Sequence, residues 1–250
     1  MSLKNHPNGD YSFVPGIAPY SCGVIANHGF EIVHVTLRTM VGWRQGFELI
    51  DSFLREAGRP HAALCAMSLR CPKPFTFQGF SDFNSQYAAI LKDWGVFVDG
   101  VNPVARTNIA PRLVPPAEPS LYAFAFTRRA ANSQTPTFVV AGAGELPEGV
   151  LQRDGIIELA NTSPAGLRTK AEFVMDLMEQ RLQKLGTSWD AVNRTNVYAA
   201  HSCDQIIQDL INPRIGKAGL FGVTWHDSRT PIEEIEFEMD VRGIVSEMML

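Results

Sequence analysis

No stretch of this 250-residue sequence comes near the ~20 consecutive apolar residues that a membrane-spanning helix needs. The N-terminal residues MSLKNHPNGDYSF lack the apolar core of a signal peptide, so a cytoplasmic protein is expected. Cysteine is scarce. Cys22, Cys65, Cys71 and Cys203 make no CxxC pair and no Cys–His spacing suited to zinc. Free thiols in a reducing compartment are therefore expected, not a disulfide framework. His28, His34 and His201 have no carboxylate or cysteine at ligand spacing, which argues against a metal site. Positive charge is not in excess either: the net charge of −4 leaves no basic footprint for nucleic acid. Ser21-Cys22-Gly23 is no G-x-S-x-G nucleophile elbow. AGAGEL (141–146) lacks a phosphate-loop lysine and any GxGxxG opening a helix.

What is present is an ordinary globular composition, 45% hydrophobic and 19% charged, arranged twice in the same order. Strand-like starts at 11–19 and 136–146 are each followed by a second strand-like run, 28–37 and DGIIELANT (154–162). Helical patterns follow at 42–58 and 165–186. In the first, Phe47, Ile50, Phe53 and Leu54 recur at helical spacing; in the second, Phe173, Leu177, Met178, Leu182 and Leu185 do. Both stop at a glycine, Gly58 or Gly186, which accepts a left-handed C-cap without steric cost. Then come a strand (61–71; 190–201), a second helix (81–95; 203–216) and two closing strands (104–114 and 120–127; 220–225 and 233–241). The pattern predicts two related ββαβαββ domains, 1–129 and 136–250, joined by a polar linker at 130–135. Each is expected to be a mixed sheet with two helices on one face. The other face must also be covered, which predicts sheet-to-sheet association between domains or chains.

Arg106 raises a local question. It lies in NPVARTNIAP, between a proline-bearing turn and a β-prone run. Such a cation either points into solvent, as most arginines do, or waits in a cleft for an anion. A guanidinium grips a carboxylate with two parallel hydrogen bonds and stays charged at all working pH values.

Several segments resemble one family. GLRTKAEFVMDLMEQRLQKLGTSWDAVNRTNVYAA is similar to the central helix and following strand of the Rid proteins, the YjgF-type reactive imine/enamine deaminases, also called endoribonuclease L-PSP. DFNSQYAAIL followed by NPVARTNIAP resembles that family's FN–Y … P-A-R-S-x-V segment, and IEEIEFEMDVRG its closing V-E-I-E-A strand. The resemblance implies an α+β, chorismate-mutase-like fold repeated in tandem, homotrimers, and small-molecule clefts between neighbouring domains. It implies hydrolysis of an enamine or imine acid, a 2-imino acid or an aminomuconate-like compound, with no metal and no organic cofactor. No membrane or nucleic-acid partner is implied.

Mapped onto this sequence, the resemblance makes Arg106 the carboxylate anchor and Glu236 the acidic group that orients water. Glu234, Glu236 and Glu238 would share one face of a regular strand. Asn84 either touches substrate or fixes the Arg106 loop, and Tyr87, four residues from Phe83, either binds or packs. Asn108 stands where the family has cysteine or serine. Gly142 and Gly144 would bring backbone N–H groups to the cleft wall, or simply serve a tight turn. His226 and Trp225 either reach a cleft or sit in a satisfied loop. The halves are unequal: the first has Arg106 with Tyr122 opposite Glu236, the second has Leu220 opposite Arg106. A cleft between unlike domains then joins Arg106 to Glu236, or one domain is scaffold. The alternatives to a deaminase are a non-catalytic binding or assembly protein of the same fold and an RNA-cleaving enzyme, the latter disfavoured by the acidic balance.

Overall fold

The computed structural model describes residues 2–131 and 135–250; residues 132–134 of the expected linker lie outside them. In chain order the elements are β1 (Lys4–His6), β2 (Tyr11–Val14), β3 (Gly23–Ala26), β4 (Phe30–Gly42), α1 (Trp43–Glu56), β5 (Leu64–Arg70), α2 (Phe77–Asp93), β6 (Ala105–Pro111), β7 (Ser120–Arg129) and β8 (Phe138–Gly144). Then follow α3 (Pro164–Lys184), β9 (Arg194–Ala199), a helical stretch from α4 (Asp204–Ile206) through a π turn (Ile207–Ile211) to α5 (Asn212–Ile215), β10 (Val223–Arg229), β11 (Glu238–Gly243) and β12 (Ser246–Met249). The fold is mixed α+β.

The described strands form one sheet in the order β1-β2-β3-β8-β11-β9-β10-β6-β5-β7-β4-β12. Within it, β4-β7-β5-β6 and β8-β11-β9-β10 follow the same rule: the last strand of each set lies beside the first. A short antiparallel contact, Ser228 with Pro111 and Arg229 with Ala110, joins the two sets. Sequence order and sheet membership part company at both ends. β3, from the first half, pairs with β8 of the second through Gly23 and Val140. β12, from the second half, runs parallel to β4, with Ser246 opposite Val33.

The helices form where apolar spacing and caps agree. Trp43, Phe47, Ile50 and Leu54 are the buried stripe of α1. Thr76 accepts from the Gly79 N–H to cap α2, and Ser163 accepts from the Gly166 N–H to cap α3. Gly58 and Gly186 follow their helices at φ +64° and +75°. One core packs α1 and α2 on the first strand set; another packs α3 and the 204–215 helix on the second. A third layer lies between the sheets, where Tyr11, Phe13, Val24 and Ala141 meet Ile32, Cys65, Ala105 and Ala125. Its alanines let two backbones approach, and the Gly142 N–H donates to Thr107 Oγ1 across the junction at 3.1 Å. All four cysteines are buried and unpaired. Among the described residues no helix is long and apolar enough to cross a membrane.

Two expectations are corrected. DGIIELANT is not a strand. It is a 3-10 turn (Arg153–Gly155) followed by further turns, with Glu158 and Ala160 at positive φ. Ile156 is buried, and the Ile157 carbonyl accepts from Lys170 Nζ at 2.9 Å; a buried ammonium thus takes the backbone that a neighbouring strand would need. The carboxylate row of Glu234, Glu236 and Glu238 does not form either. β11 begins only at Glu238, because Glu145 captures the N–H groups of Glu236 (2.6 Å) and Phe237 (3.0 Å). Glu234 turns to Arg153 and Glu236 to His201, while Glu238 is buried.

Candidate functional site

β6 runs parallel to β5 and is buried along nearly its whole length, on both faces. An arginine there has no water to turn to, so the open question about Arg106 is answered by burial: it is 3% exposed. Its Nη2 donates to Asn84 Oδ1 at 2.6 Å. The guanidinium carbon lies 4.6 Å from the Tyr87 ring centroid and 4.8 Å from that of Tyr20, with Phe80 and Phe83 further out. Desolvated cation–aromatic contacts contribute up to ~2 kcal/mol each. They hold the cation without neutralising it. Among the described residues its buried Nη1 has no partner.

Arg106 lines a cavity of about 150 Å³ where the two strand sets meet. Asn108 lines it too, with its Oδ1 taken by the Cys71 thiol at 3.0 Å and its Nδ2 left as a second buried donor without a partner. Glu238 supplies the carboxyl group. Burial, and then the neighbouring Asp240, push it well above the usual carboxylate range, against the pull of Arg181 and Arg106. Both effects favour the protonated form of this carboxyl over the ionised one. Gly142 and Gly144 form the adjoining wall. A Cβ on Gly142 would collide with the Glu238 carboxylate, so glycine there makes room for the acid.

Asn84 and Tyr87 are not cavity-lining; they hold Arg106 from behind, and the Tyr87 hydroxyl donates to Met67 Sδ at 3.3 Å. The expected joining of Arg106 to Glu236 does not occur in this cavity. Glu236, in the segment before β11, is bonded to His201 Nε2 at 3.0 Å, and Glu238 takes the place expected of it. The Gly142 N–H is spent on Thr107 and offers nothing to a ligand. His226 stacks on Tyr198, and Trp225 donates to the Ala199 carbonyl; neither lines the cavity.

Sequence reasoning missed Arg181, Glu148, Tyr20 and Cys22, all cavity-lining. Arg181 is 5% exposed on α3. Its Nε donates to Glu148 Oε1 at 2.8 Å and its Nη1 to the Ala141 carbonyl at 2.9 Å. Burial opposes ionisation of Glu148, but Arg181, the Cys22 thiol and Lys184 outweigh it and hold the carboxyl below its ordinary range. The available signal was Arg181 falling three residues after Met178 and seven after Val174, a cation on the apolar stripe of α3.

The family described as 2-aminomuconate deaminase CnbZ matches residues 3–248. A 2-amino-5-chloromuconate deaminase from Comamonas testosteroni is 39% identical over 246 residues, 97% of this chain and 96% of that protein. A solved chorismatase shares the fold, with a TM-score of 0.51 at 12% identity over 89% of this chain and 77% of its own. A putative endoribonuclease L-PSP from Entamoeba histolytica overlays at a TM-score of 0.30, 17% identical, over 47% of this chain and 90% of its own.

Proposed function

This chain belongs to the 2-aminomuconate deaminase CnbZ family, and on that premise we propose that it hydrolyses aminomuconate-like enamine acids to the oxo acid and ammonia, using Arg106 and Glu238. The observation that carries the reading is the pairing, in one cavity, of a buried guanidinium with a nitrogen unpartnered among the described residues and a buried carboxyl group. Arg106 Nη1 receives the substrate carboxylate, and Asn108 Nδ2 donates to the same anion. Both orphaned donors are thereby satisfied.

Glu238 gives its proton to the enamine carbon, which turns C=C–NH2 into an iminium. Its carboxylate then takes a proton from water as the oxygen adds to the C=N carbon. The carbinolamine loses ammonia as that proton passes to nitrogen, and the carbonyl forms. Water is consumed, ammonia is released, and Glu238 ends as it began, because it recovers the carbinolamine hydroxyl proton as the carbonyl forms. A general acid of this kind contributes ~10²–10⁴-fold. Tandem Rid-type domains remain part of the reading, supported by the repeated strand order. A homotrimer does too, supported by exposed Leu220 and Phe221; light scattering should return the mass of three chains.

Enzymatically generated 2-aminomuconate, with 2-iminobutyrate beside it, tests the activity by ammonia release. Acceleration of aminomuconate hydrolysis is the expected result. Binding of enamine acids without turnover of either would leave a ligand-binding protein instead.

A further inference from the structure

Resting on that deaminase reading, we propose that Arg181 is the residue that receives the second carboxylate of the substrate, so that its loss removes the preference for a dicarboxylic over a monocarboxylic diene. The cavity holds two guanidiniums on opposite strand sets, Arg106 from β6 and Arg181 from α3. Each is almost wholly buried, and each has one terminal nitrogen uncommitted. For Arg106 it is Nη1. For Arg181, Nε goes to Glu148 and Nη1 to the carbonyls of Ala141 and Gly142. Among the described residues nothing accepts from its Nη2.

Charge counting points the same way. Glu148 is shared between Arg181 at 2.8 Å and Lys184 at 3.4 Å, so one carboxylate faces two cations. Were Arg181 there only to neutralise Glu148, Lys184 would be superfluous. Among the described residues the one hydrogen-bond partner of Arg106 is the neutral amide of Asn84, which leaves its charge unpaired by a hydrogen-bonded carboxylate. Burial and the neighbouring Asp240 raise the Glu238 pKa, which works against an ionised Glu238 beside these cations. Two buried guanidiniums, each with a free terminal nitrogen, match a dianion, and a rigid conjugated dienedioic acid carries its two carboxylates at its two ends. Glu238 lies close enough to feel both guanidiniums, which places the acid near a chain held at each end.

The probes are muconate and sorbate, two unreactive six-carbon dienes that differ in one end group, a carboxylate or a methyl. Their inhibition constants are measured against deamination of 2-aminomuconate. The wild-type protein should bind muconate about tenfold or more tightly than sorbate, the effect of a charge-assisted hydrogen bond. Arg181→Gln should bring that ratio close to one, whereas Arg106→Gln should weaken both probes. Lys184→Gln, on a partly exposed side chain, should lower the ratio by roughly threefold because Glu148 then cancels Arg181 alone. It also keeps the test decisive if Arg181→Gln fails to fold by circular dichroism. Equal binding of the two probes by wild type, or an unchanged ratio in folded Arg181→Gln, overturns the assignment. If 2-aminomuconate is still turned over in that event, the deaminase reading survives; if no enamine acid is turned over, both fall together.

Discussion

Asn84 accepts a hydrogen bond from Nη2 of Arg106 at 2.6 Å and thereby leaves Nη1 as the nitrogen facing an unfilled need. The amide is neutral, so it fixes the guanidinium without spending its charge. Asn84→Ala should raise KM for aminomuconate by about tenfold, the loss of one hydrogen bond to a charged group. Arg106→Lys should be far worse, about 10²-fold or more in kcat/KM, because a point charge cannot replace a planar fork. Steady-state kinetics of both variants checks this; an Arg106→Lys protein with wild-type KM would remove the anchor.

Glu238 sets the pH dependence. Burial, and then Asp240, raise its pKa in the folded protein above that of a free glutamate, so it gives up its proton at a higher pH than a free glutamate does. A raised folded pKa favours the fold below the unfolded value, and that benefit is lost as pH climbs through the folded value. Activity has the same sign: kcat should fall on the alkaline side as the acid ionises. Glu238→Gln should lower kcat by ~10²–10⁴-fold, and its residual rate should lack that alkaline limb. A pH–rate series on both proteins is the measurement.

Gly142→Ala isolates the space around that acid. The new Cβ meets the far end of the Glu238 side chain, which can swing away more readily than backbone can. The variant should fold and melt within about 1–2 kcal/mol of wild type yet lose most of its kcat. Loss of folding without loss of specific activity would contradict the clash.

Lys170 and Glu145 form an ion pair at 3.1 Å with both side chains fully buried. Glu145 also holds the N–H groups of Glu236 and Phe237. Lys170→Met strands a buried carboxylate and should cost about 3–5 kcal/mol, seen as a Tm lower by roughly 10 °C. Because the anchored segment leads into Glu238, kcat should drop as well at temperatures where the variant is folded.

Much of this architecture was legible in the chain. Apolar spacing marked α1 and α3, and Gly58 and Gly186 marked their ends, because helix periodicity and left-handed caps are local properties. Arg106 stood out against its β-prone neighbours, although only the burial of β6 on both faces showed that it could not be solvated. The second strand of the second half was misread because DGIIELANT has strand-like composition, while a buried lysine on α3 claims its backbone.

The sequence by itself determined the helices and the cation at Arg106. Only the tertiary structure decided that Glu238, and not Glu236, faces that cation, that Arg181 joins them from α3, and that strands at both ends cross to the other half. The reason is range. Periodicity and capping are set within a few residues, whereas the register of β11 is set by a carboxylate about ninety residues away in sequence, and a change of one residue in register sends a side chain to the opposite face.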